Sequence, residues 1–153
     1  MDVTNKLAEL GWVLPPPPKP VAAYLPSRRT GDLVFVSGQL PWRDGKLLAL
    51  GKVPSAVSLE QAQHAAAQCA VHGLAVLGIE IGGNWDRLVQ VVRIGVFVQS
   101  DNDFTDQAKV ANGASELLAQ VLGESGRHAR AAIGVNALPL NATVEVEFLF
   151  QVK

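Results

Sequence analysis

The sequence predicts an α+β fold in which a single sheet carries two helices on one of its faces. Short runs of β-branched and aromatic residues alternate along the chain with two alanine- and leucine-rich helical patterns that start at polar capping residues. At 153 residues the chain is long enough to bury one core, so residues 1–153 are expected to form a single domain.

The composition is apolar for a small monomer. Hydrophobic residues make up 48% of the chain and charged residues 18%. Either a well-filled monomer core or burial between subunits would accommodate this excess, and composition favours neither.

Residues 1–22 are expected to form a short helix and a proline-rich arm. Within residues 2–10, Leu7 and Leu10 share a helix face, and Gly11 stops the helix. Prolines then dominate residues 15–20 and impose an extended path, so this arm is expected to lie against the domain as a strap.

The first predicted strand runs from Leu33 to Ser37 and is entered through a turn at residues 30–32. Gly38 ends it, and residues 39–41 are expected to leave strand geometry. Residues 42–57, which hold several glycines and a proline, are predicted to form a hairpin and loop.

The first long helix starts at a capping box formed by Ser58 and Gln61 and runs to about Leu77. One face carries small residues that would allow close packing on the sheet: Ala62, Ala66, Cys69 and Gly73. Cys69 is therefore predicted to be a core residue rather than a nucleophile.

The second half continues with a strand from Leu88 to Gln99, a helix capped by residues 101–103, and two final strands, 130–135 and 143–152. The helix has an apolar face made of Ala111, Ala114, Leu117, Leu118, Val121 and Leu122. No predicted element remains to cover the second face of the sheet, which indicates self-association.

Charge and residue counts exclude several classes of function. The formal net charge is -1, which disfavours nucleic-acid binding driven by phosphate contacts. The single cysteine forbids an internal disulfide, and the three histidines lack zinc-ligand spacing, so no metal is expected. No signal pattern or membrane-length apolar run is present, which predicts a cytoplasmic protein.

The strand that begins at Arg130 has a pattern suited to an anion. Arg130, Ala132 and Gly134 share one face, so a guanidinium is followed by the two smallest side chains. This predicts an open patch of backbone beside a group that binds carboxylates bidentately. An arginine paired with a structural acid is an equally good explanation of this strand alone.

The last strand alternates strictly, with apolar residues on one face and Glu145 and Glu147 on the other. Two carboxylates on one face of a central strand are costly unless they are paired or hydrated. One of them could orient a water beside a ligand held by Arg130. Ion pairs at a subunit contact explain the periodicity equally well.

These residues also carry a family resemblance. The matching segments are residues 23–24, 33–41, 96–98, 102–104, 127–130 and 138–147, and their order and spacing extend over residues 23 to 150, nearly the whole chain. In their order and spacing the sequence resembles the reactive-intermediate deaminase family, also called Rid or YjgF-type and formerly labelled translation-inhibitor endoribonucleases.

The resemblance implies a chorismate-mutase-like fold with one mixed sheet and a homotrimer whose sheets form a central β-barrel. It implies hydrolysis of 2-imino acids or their enamine tautomers to 2-keto acids and ammonia in clefts between subunits, without metal or organic cofactor. By position, Arg130 matches the carboxylate-binding arginine and Glu145 the water-orienting acid. The remaining matches are substrate-binding positions: Tyr24, Ser37, Gly38, Asn112 and Ala132.

Three features depart from the family pattern, and one of them, the proline-rich arm together with residues 126–130, suggests a divergent branch with another substrate. Ala132 stands where many members have cysteine, and Gly134 replaces a larger residue, which is expected to widen the pocket. His128 lies two residues before Arg130 and could add a titratable group, although we expect a solvated histidine at the strand edge.

Three functions follow from this reading. The leading hypothesis is an imine or enamine deaminase. The second is a non-enzymatic trimer that senses or sequesters a small carboxylate. The third is an endoribonuclease, which the near-neutral charge and the lack of a paired-histidine acid-base set disfavour.

Overall fold

The structure is a computed structural model that describes residues 2–16 and 23–153. Its helices are α1 (Val3–Glu9), α2 (Leu59–Glu80) and α3 (Gln107–Leu122). Its strands are β1 (Ser27–Thr30), β2 (Leu33–Gln39), β3 (Trp42–Arg43), β4 (Lys46–Leu47), β5 (Leu88–Gln99), β6 (Ala129–Val135) and β7 (Val144–Val152). Short 3-10 turns precede β5, follow α3 and precede β7.

The main sheet is mixed and has the strand order β1-β2-β7-β5-β6. β7 lies at its centre and pairs antiparallel with both β2 and β5, while β6 is parallel to β5 and forms an edge. The remaining strands, β3 and β4, form the predicted hairpin. The α+β class and the single main sheet are therefore confirmed.

Both long helices lie on one face of this sheet, as predicted. The apolar residues of β7 are buried beneath them, and the small-residue face of α2 is in close contact with the strand. A Cβ on Gly73 would lie 2.5 Å from the Phe148 ring, so this approach requires glycine. Cys69 is fully buried in the same layer, where burial raises the pKa of its thiol, and it is a core residue.

The second face of the sheet carries large apolar side chains that the described residues leave half uncovered. Phe35 on β2 and Ile133 on β6 are each 49% exposed. Glu147 lies on the same face and pairs with Arg93 at 3.3 Å. The mixture of apolar and charged groups is typical of a surface that is wet in one subunit and covered in an assembly.

Two strand boundaries differ from the prediction at the start of the sheet. β1 was not predicted, because Ser27–Thr30 is a short edge strand that carries two arginines and no apolar alternation. β2 continues through Gly38 to Gln39, because a register shift after Val36 lets the strand resume its pairing with β7.

The predicted cap of α3 was wrong. The helix begins at Gln107 with Asp106 at the N-cap, and residues 101–103 lie before it. The Asp101 carboxylate instead accepts hydrogen bonds from Ser55 N at 2.9 Å and Ser55 Oγ at 3.0 Å. Clusters of Asp and Asn favour turns as well as helix caps, so the sequence pattern was ambiguous.

The N-terminal helix is confirmed, with the Asp2 carboxylate accepting from Asn5 N at 3.0 Å and Val3 and Leu7 buried. Pro15 and Pro16 are non-helical, and the rest of the predicted arm, residues 17–22, lies outside the described residues. Among the helices that the structure describes, none combines the length and apolarity that crossing a bilayer requires.

Replacing Asp101 with alanine is expected to lower the free energy of unfolding by about 1–2 kcal/mol, because two hydrogen bonds to a carboxylate are lost. Urea unfolding followed by circular dichroism measures the change. Asp103→Ala is the matched control and should change stability by less than about 0.5 kcal/mol. A larger loss for Asp103→Ala than for Asp101→Ala would show that the cap was assigned incorrectly.

Candidate functional site

Arg130 lies on the edge strand β6 with its side chain directed toward the helix layer. It pairs in register with Ile94, which pairs with Phe148, and both of these side chains are buried under the helices. The Arg130 guanidinium reaches α3, where Nη1 donates to Asn112 Oδ1 at 2.9 Å and to Ser115 Oγ at 3.0 Å. Nη2 donates to the backbone oxygen of Ala108 at 3.3 Å.

The acceptors that bind the Arg130 guanidinium are all uncharged, so none of the residues that the structure describes neutralises its positive charge. Among the described residues, the ion pairs involve other cations, and no carboxylate lies within ion-pair distance of this guanidinium. Three N–H groups are used by α3, which leaves Nε–H and one Nη2 hydrogen. That remaining pair of donors, on an exposed side chain, suits a carboxylate.

The position of α3 is fixed by its contact with α2, on the side away from Arg130. A Cβ on Gly113 would overlap the backbone oxygen of Gln63 on α2, so only glycine permits this spacing of the two helices. Asn112 and Ser115 are three residues apart and therefore share the helix face that meets β6. The contact between α2 and α3 thus sets where the acceptors for Arg130 stand.

The two small residues that follow Arg130 on its face of β6 have different surroundings. Ala132 is partly buried and packs against the hydrophobic core. A Cβ on Gly134 would lie 2.6 Å from Ser100 Oγ and 2.7 Å from Gln107 Nε2, so these polar groups occupy the place of the missing side chain. Gly134 therefore admits neighbouring side chains, and together with Ser100 and Gln107 it lines a cavity of about 300 Å³. The expectation that it widens the ligand pocket stays a prediction.

A second group of predicted residues gathers around the end of β2. The Ser37 hydroxyl donates to the backbone oxygen of Leu25 at 2.7 Å, and Ser37 N donates to the Pro26 oxygen at 2.9 Å. These bonds hold the segment that follows Tyr24, whose side chain is exposed. A Cβ on Gly38 would overlap Oε1 of Glu145, so the carboxylate lies directly against the glycine backbone.

Glu145 differs from its neighbour on the same face of β7. Burial and, to a lesser extent, the negative charge of Glu147 raise the pKa of the Glu145 carboxyl. Glu147 is paired with Arg93, whereas no described cation forms an ion pair with Glu145. Glu145 is therefore a carboxylate held in a position that favours accepting a proton.

The two groups of predicted residues are not brought together within one subunit. Arg130, Asn112 and Ala132 form a first group at the edge strand β6, and Arg130 lies on the helix face. Glu145 lies on the opposite face with Gly38. β7, which carries Glu145, and β6, which carries Arg130, are two strand spacings apart, about 10 Å. A single site containing both Arg130 and Glu145 would need a second subunit.

Ser115 and His128 join the Arg130 group although neither was predicted as a site residue. His128 is half-buried and bonded to Ser115 Oγ at 2.9 Å, so the expectation of a solvated histidine was wrong. The spacing of Asn112 and Ser115 on one helix face was a usable signal for Ser115. Nothing in the sequence showed that this face meets β6.

Another cavity, of about 510 Å³, lies between the β3–β4 hairpin and α2, where it is lined by Trp42, Arg43, Gln68 and His72 together with residues 13–16. It contains none of the predicted site residues. In the described residues no group of three His, Cys, Asp or Glu side chains is arranged to hold a metal ion.

Comparison with known proteins relates the chain to one family over almost its full length. The family model described as Endoribonuclease L-PSP matches residues 16–152. Protein TCP17 of Trypanosoma cruzi is 39% identical over 150 residues, covering 97% of this chain and 93% of that protein. RutC family protein y4sK of Sinorhizobium fredii is 33% identical over 130 residues, covering 85% of this chain and 87% of that protein.

A solved structure supports the same relationship. The crystal structure of the protein Atu1372 from Agrobacterium tumefaciens, a protein of unknown function, superposes with a TM-score of 0.94 at 42% sequence identity. The superposition covers 99% of this chain and 92% of that one.

Glu145→Gln is expected to raise the unfolding temperature at pH 7–8 by roughly 1–3 °C, because it removes a half-buried negative charge beside Glu147. A carboxyl with a raised folded-state pKa favours folding when protonated, and this contribution is lost as the pH rises through that pKa. The difference should therefore disappear in acid, below the ordinary glutamate range. Thermal unfolding from pH 3.5 to 8 tests this.

Glu147→Gln is the matched control for that series. It breaks the pair with Arg93, so no gain is expected at neutral pH. A lower unfolding temperature for Glu145→Gln at pH 8 would contradict the assignment of Glu145 as a half-buried carboxylate with a raised pKa and no cation partner among the described residues.

Proposed function

Because the chain belongs to the endoribonuclease L-PSP family, also called the YjgF/Rid family, we propose that it hydrolyses 2-imino acids or their enamine tautomers. The products are 2-keto acids and ammonia. The reaction would take place in clefts between the subunits of a homotrimer, with the whole chain acting as one domain and no cofactor taking part.

The observation that supports this proposal most strongly is the set of hydrogen-bond partners of Arg130. Its guanidinium is held by three neutral acceptors on α3, has no carboxylate partner among the described residues, and keeps two donors free. A structural ion pair, the alternative explanation of this arginine, is not supported. The remaining donors match the carboxylate that all 2-imino and 2-keto acids share.

The reaction needs only a modest catalytic apparatus. An imine carbon next to a carboxylate is already electrophilic, so the site has to hold it and aim a water at it. Glu145 would accept a proton from that water as its oxygen bonds to the imine carbon, and would pass the proton to the nitrogen. In the resulting amino alcohol, Glu145 would move the proton of the new hydroxyl group to the nitrogen. The carbon–oxygen double bond then forms as the carbon–nitrogen bond breaks, ammonia leaves and the keto acid remains.

The split between the two groups of site residues supports the subunit cleft. Arg130, with Asn112 and Ala132, would come from one subunit. The group at the end of β2, formed by Tyr24, Ser37, Gly38 and Glu145, would come from its neighbour. The half-covered apolar side chains on the second face of the sheet give the subunits a surface through which to associate.

Two other functions share part of this argument. A trimer that only binds a small carboxylate would use Arg130 without Glu145. An endoribonuclease would follow from the older family description, but a net charge of -1 disfavours contacts with many phosphates.

Purified protein is expected to accelerate keto-acid release from 2-iminopropionate or 2-iminobutyrate generated in the assay. Arg130→Ala should reduce kcat/KM by at least about 100-fold, because it removes charge-assisted hydrogen bonds to the carboxylate. Arg127→Ala is the matched control, since Arg127 pairs with Glu124 on the surface and should leave the rate unchanged.

Three results would count against the deaminase. No acceleration over buffer by an oligomeric, folded protein would exclude it. Binding of a 2-keto acid that survives Glu145→Ala, without turnover in either form, would indicate the binding trimer. Cleavage of RNA by metal-free, nuclease-free protein, lost in Arg130→Ala, would indicate the nuclease.

Subunit mixing tests whether the cleft joins two chains. Arg130→Ala and Glu145→Ala proteins should each be inactive, while trimers reassembled from an equal mixture should regain about one quarter of wild-type activity, because a quarter of the interfaces combine an intact Arg130 with an intact Glu145. Refolding the two proteins together and assaying the mixture measures this. No recovery in mixed trimers would place both residues of a site in one subunit.

A further inference from the structure

A chain of hydrogen bonds leads from Arg130 away from the proposed ligand position. Arg130 Nη1 donates to Ser115 Oγ at 3.0 Å. Ser115 Oγ lies 2.9 Å from His128 Nε2, and His128 Nδ1 lies 2.6 Å from the backbone oxygen of Gly126. The three side chains line one cavity of about 410 Å³ at the end of α3.

The protons in this chain have one consistent arrangement. The Gly126 oxygen can only accept, so His128 Nδ1 must carry a proton. In the neutral ring Nε2 is then an acceptor, and the Ser115 hydroxyl donates to it. With its proton committed to His128, Ser115 Oγ directs its lone pairs at Arg130, which can only donate.

We propose that His128 and Ser115 are positioning residues that hold the Arg130 guanidinium in the orientation that binds the carboxylate of the substrate. This inference rests on the proposed role of Arg130. It adds that the affinity of the site depends on a neutral histidine that does not touch the ligand.

Arg130 needs groups that hold its guanidinium because of where it lies in the fold. Its side chain is long and exposed and belongs to an edge strand, so many rotamers compete with the one that binds. Asn112 and the Ala108 oxygen fix part of the guanidinium. Ser115 would be free to rotate if His128 did not hold its proton.

Burial and the charge of Arg130 both favour the neutral form of the His128 imidazole. Burial lowers the pKa of its imidazole, and the positive charge of Arg130 lowers it further, while the hydrogen bond to Gly126 acts in the opposite direction. The other charged groups near the ring are Glu116 on α3, which lines the same cavity, and Arg127 and Glu124, which pair with each other at 3.6 Å. At neutral pH the imidazole is therefore an acceptor for Ser115.

The experiment measures binding of 2-oxobutyrate, a product that does not react, by isothermal titration calorimetry. Ser115→Ala should raise Kd about tenfold, as expected for one lost hydrogen bond to a charged group. Ser115→Thr keeps the hydroxyl and should remain close to wild type. His128→Phe keeps a ring in the mostly apolar cavity but removes the acceptor, and should raise Kd by about three- to fivefold.

The double variant separates positioning from independent structural effects. If His128 acts only through Ser115, the Ser115→Ala, His128→Phe protein should bind no more weakly than Ser115→Ala alone. Multiplication of the two effects would overturn the proposal, as would wild-type affinity in folded His128→Phe. Glu116→Gln, in the same cavity, is the control and should leave Kd unchanged.

A measurement without ligand keeps this inference distinguishable from the proposed function. In ¹⁵N NMR spectra, His128 should be neutral at pH 7 with its proton on Nδ1. Its pKa should rise in Arg130→Ala, where the neighbouring positive charge is lost, and stay low in Arg130→Lys. If wild type binds no carboxylate but these results hold, the function fails and the hydrogen-bond chain stands. A proton on Nε2, or a pKa unchanged in Arg130→Ala, overturns the chain itself.

Discussion

The contact between α2 and β7 determines how the rest of this domain is arranged. Gly73 lets the helix approach the Phe148 ring so closely that the apolar side of β7 is sealed. Because side chains alternate along a strand, the same contact commits Glu145 and Glu147 to the other side. Packing of the apolar residues on one face of β7 thus fixes the position of the carboxylates on the other face. Arg130, two strands away, is placed by the helix layer in the same manner.

Each face of the sheet therefore carries a charged side chain of opposite sign that has no counter-ion among the described residues. Arg130 has hydrogen bonds but no anion, and Glu145 has close packing against Gly38 but no described cation. For Glu145, which is half-buried, the ionised form carries a desolvation cost, whereas the exposed Arg130 remains solvated. Such unmatched pairs occur where function, rather than folding, has selected the residues. In the proposed cleft the ligand's carboxylate and the water would stand between them.

Much of the fold could be predicted from the sequence because its signals are local. The strict alternation of β7, the capping box at Ser58 and the run from Leu88 to Gln99 each depend on neighbouring residues, and each was confirmed. The errors arose where a local pattern had two physical meanings. Asp101, for example, was predicted to cap α3 but accepts a hydrogen bond from Ser55 in a loop.

For the candidate site, the sequence pointed to individual residues, but it could not predict which of them lie close together. Pairing order and strand spacing decide that Arg130 joins Asn112 and Ser115, whereas Glu145 joins Gly38, and neither is encoded in a short window. His128 was misjudged for the same reason, since its partner lies on α3. The cavity at Gly134 is bounded in part by Gln107, and the start of the helix that carries Gln107 was predicted incorrectly.

The location of Arg130 on an edge strand has a consequence for local opening. β6 has a single neighbour in the sheet, so its backbone amides on the outer side have no strand partner in the subunit, and its hydrogen-exchange protection should be lower than that of β7. The bonds from Arg130 to α3 fasten this strand to the helix layer. Arg130 therefore also fastens an edge strand, so in the proposed function the occupancy of the site and the rigidity of this edge would be coupled.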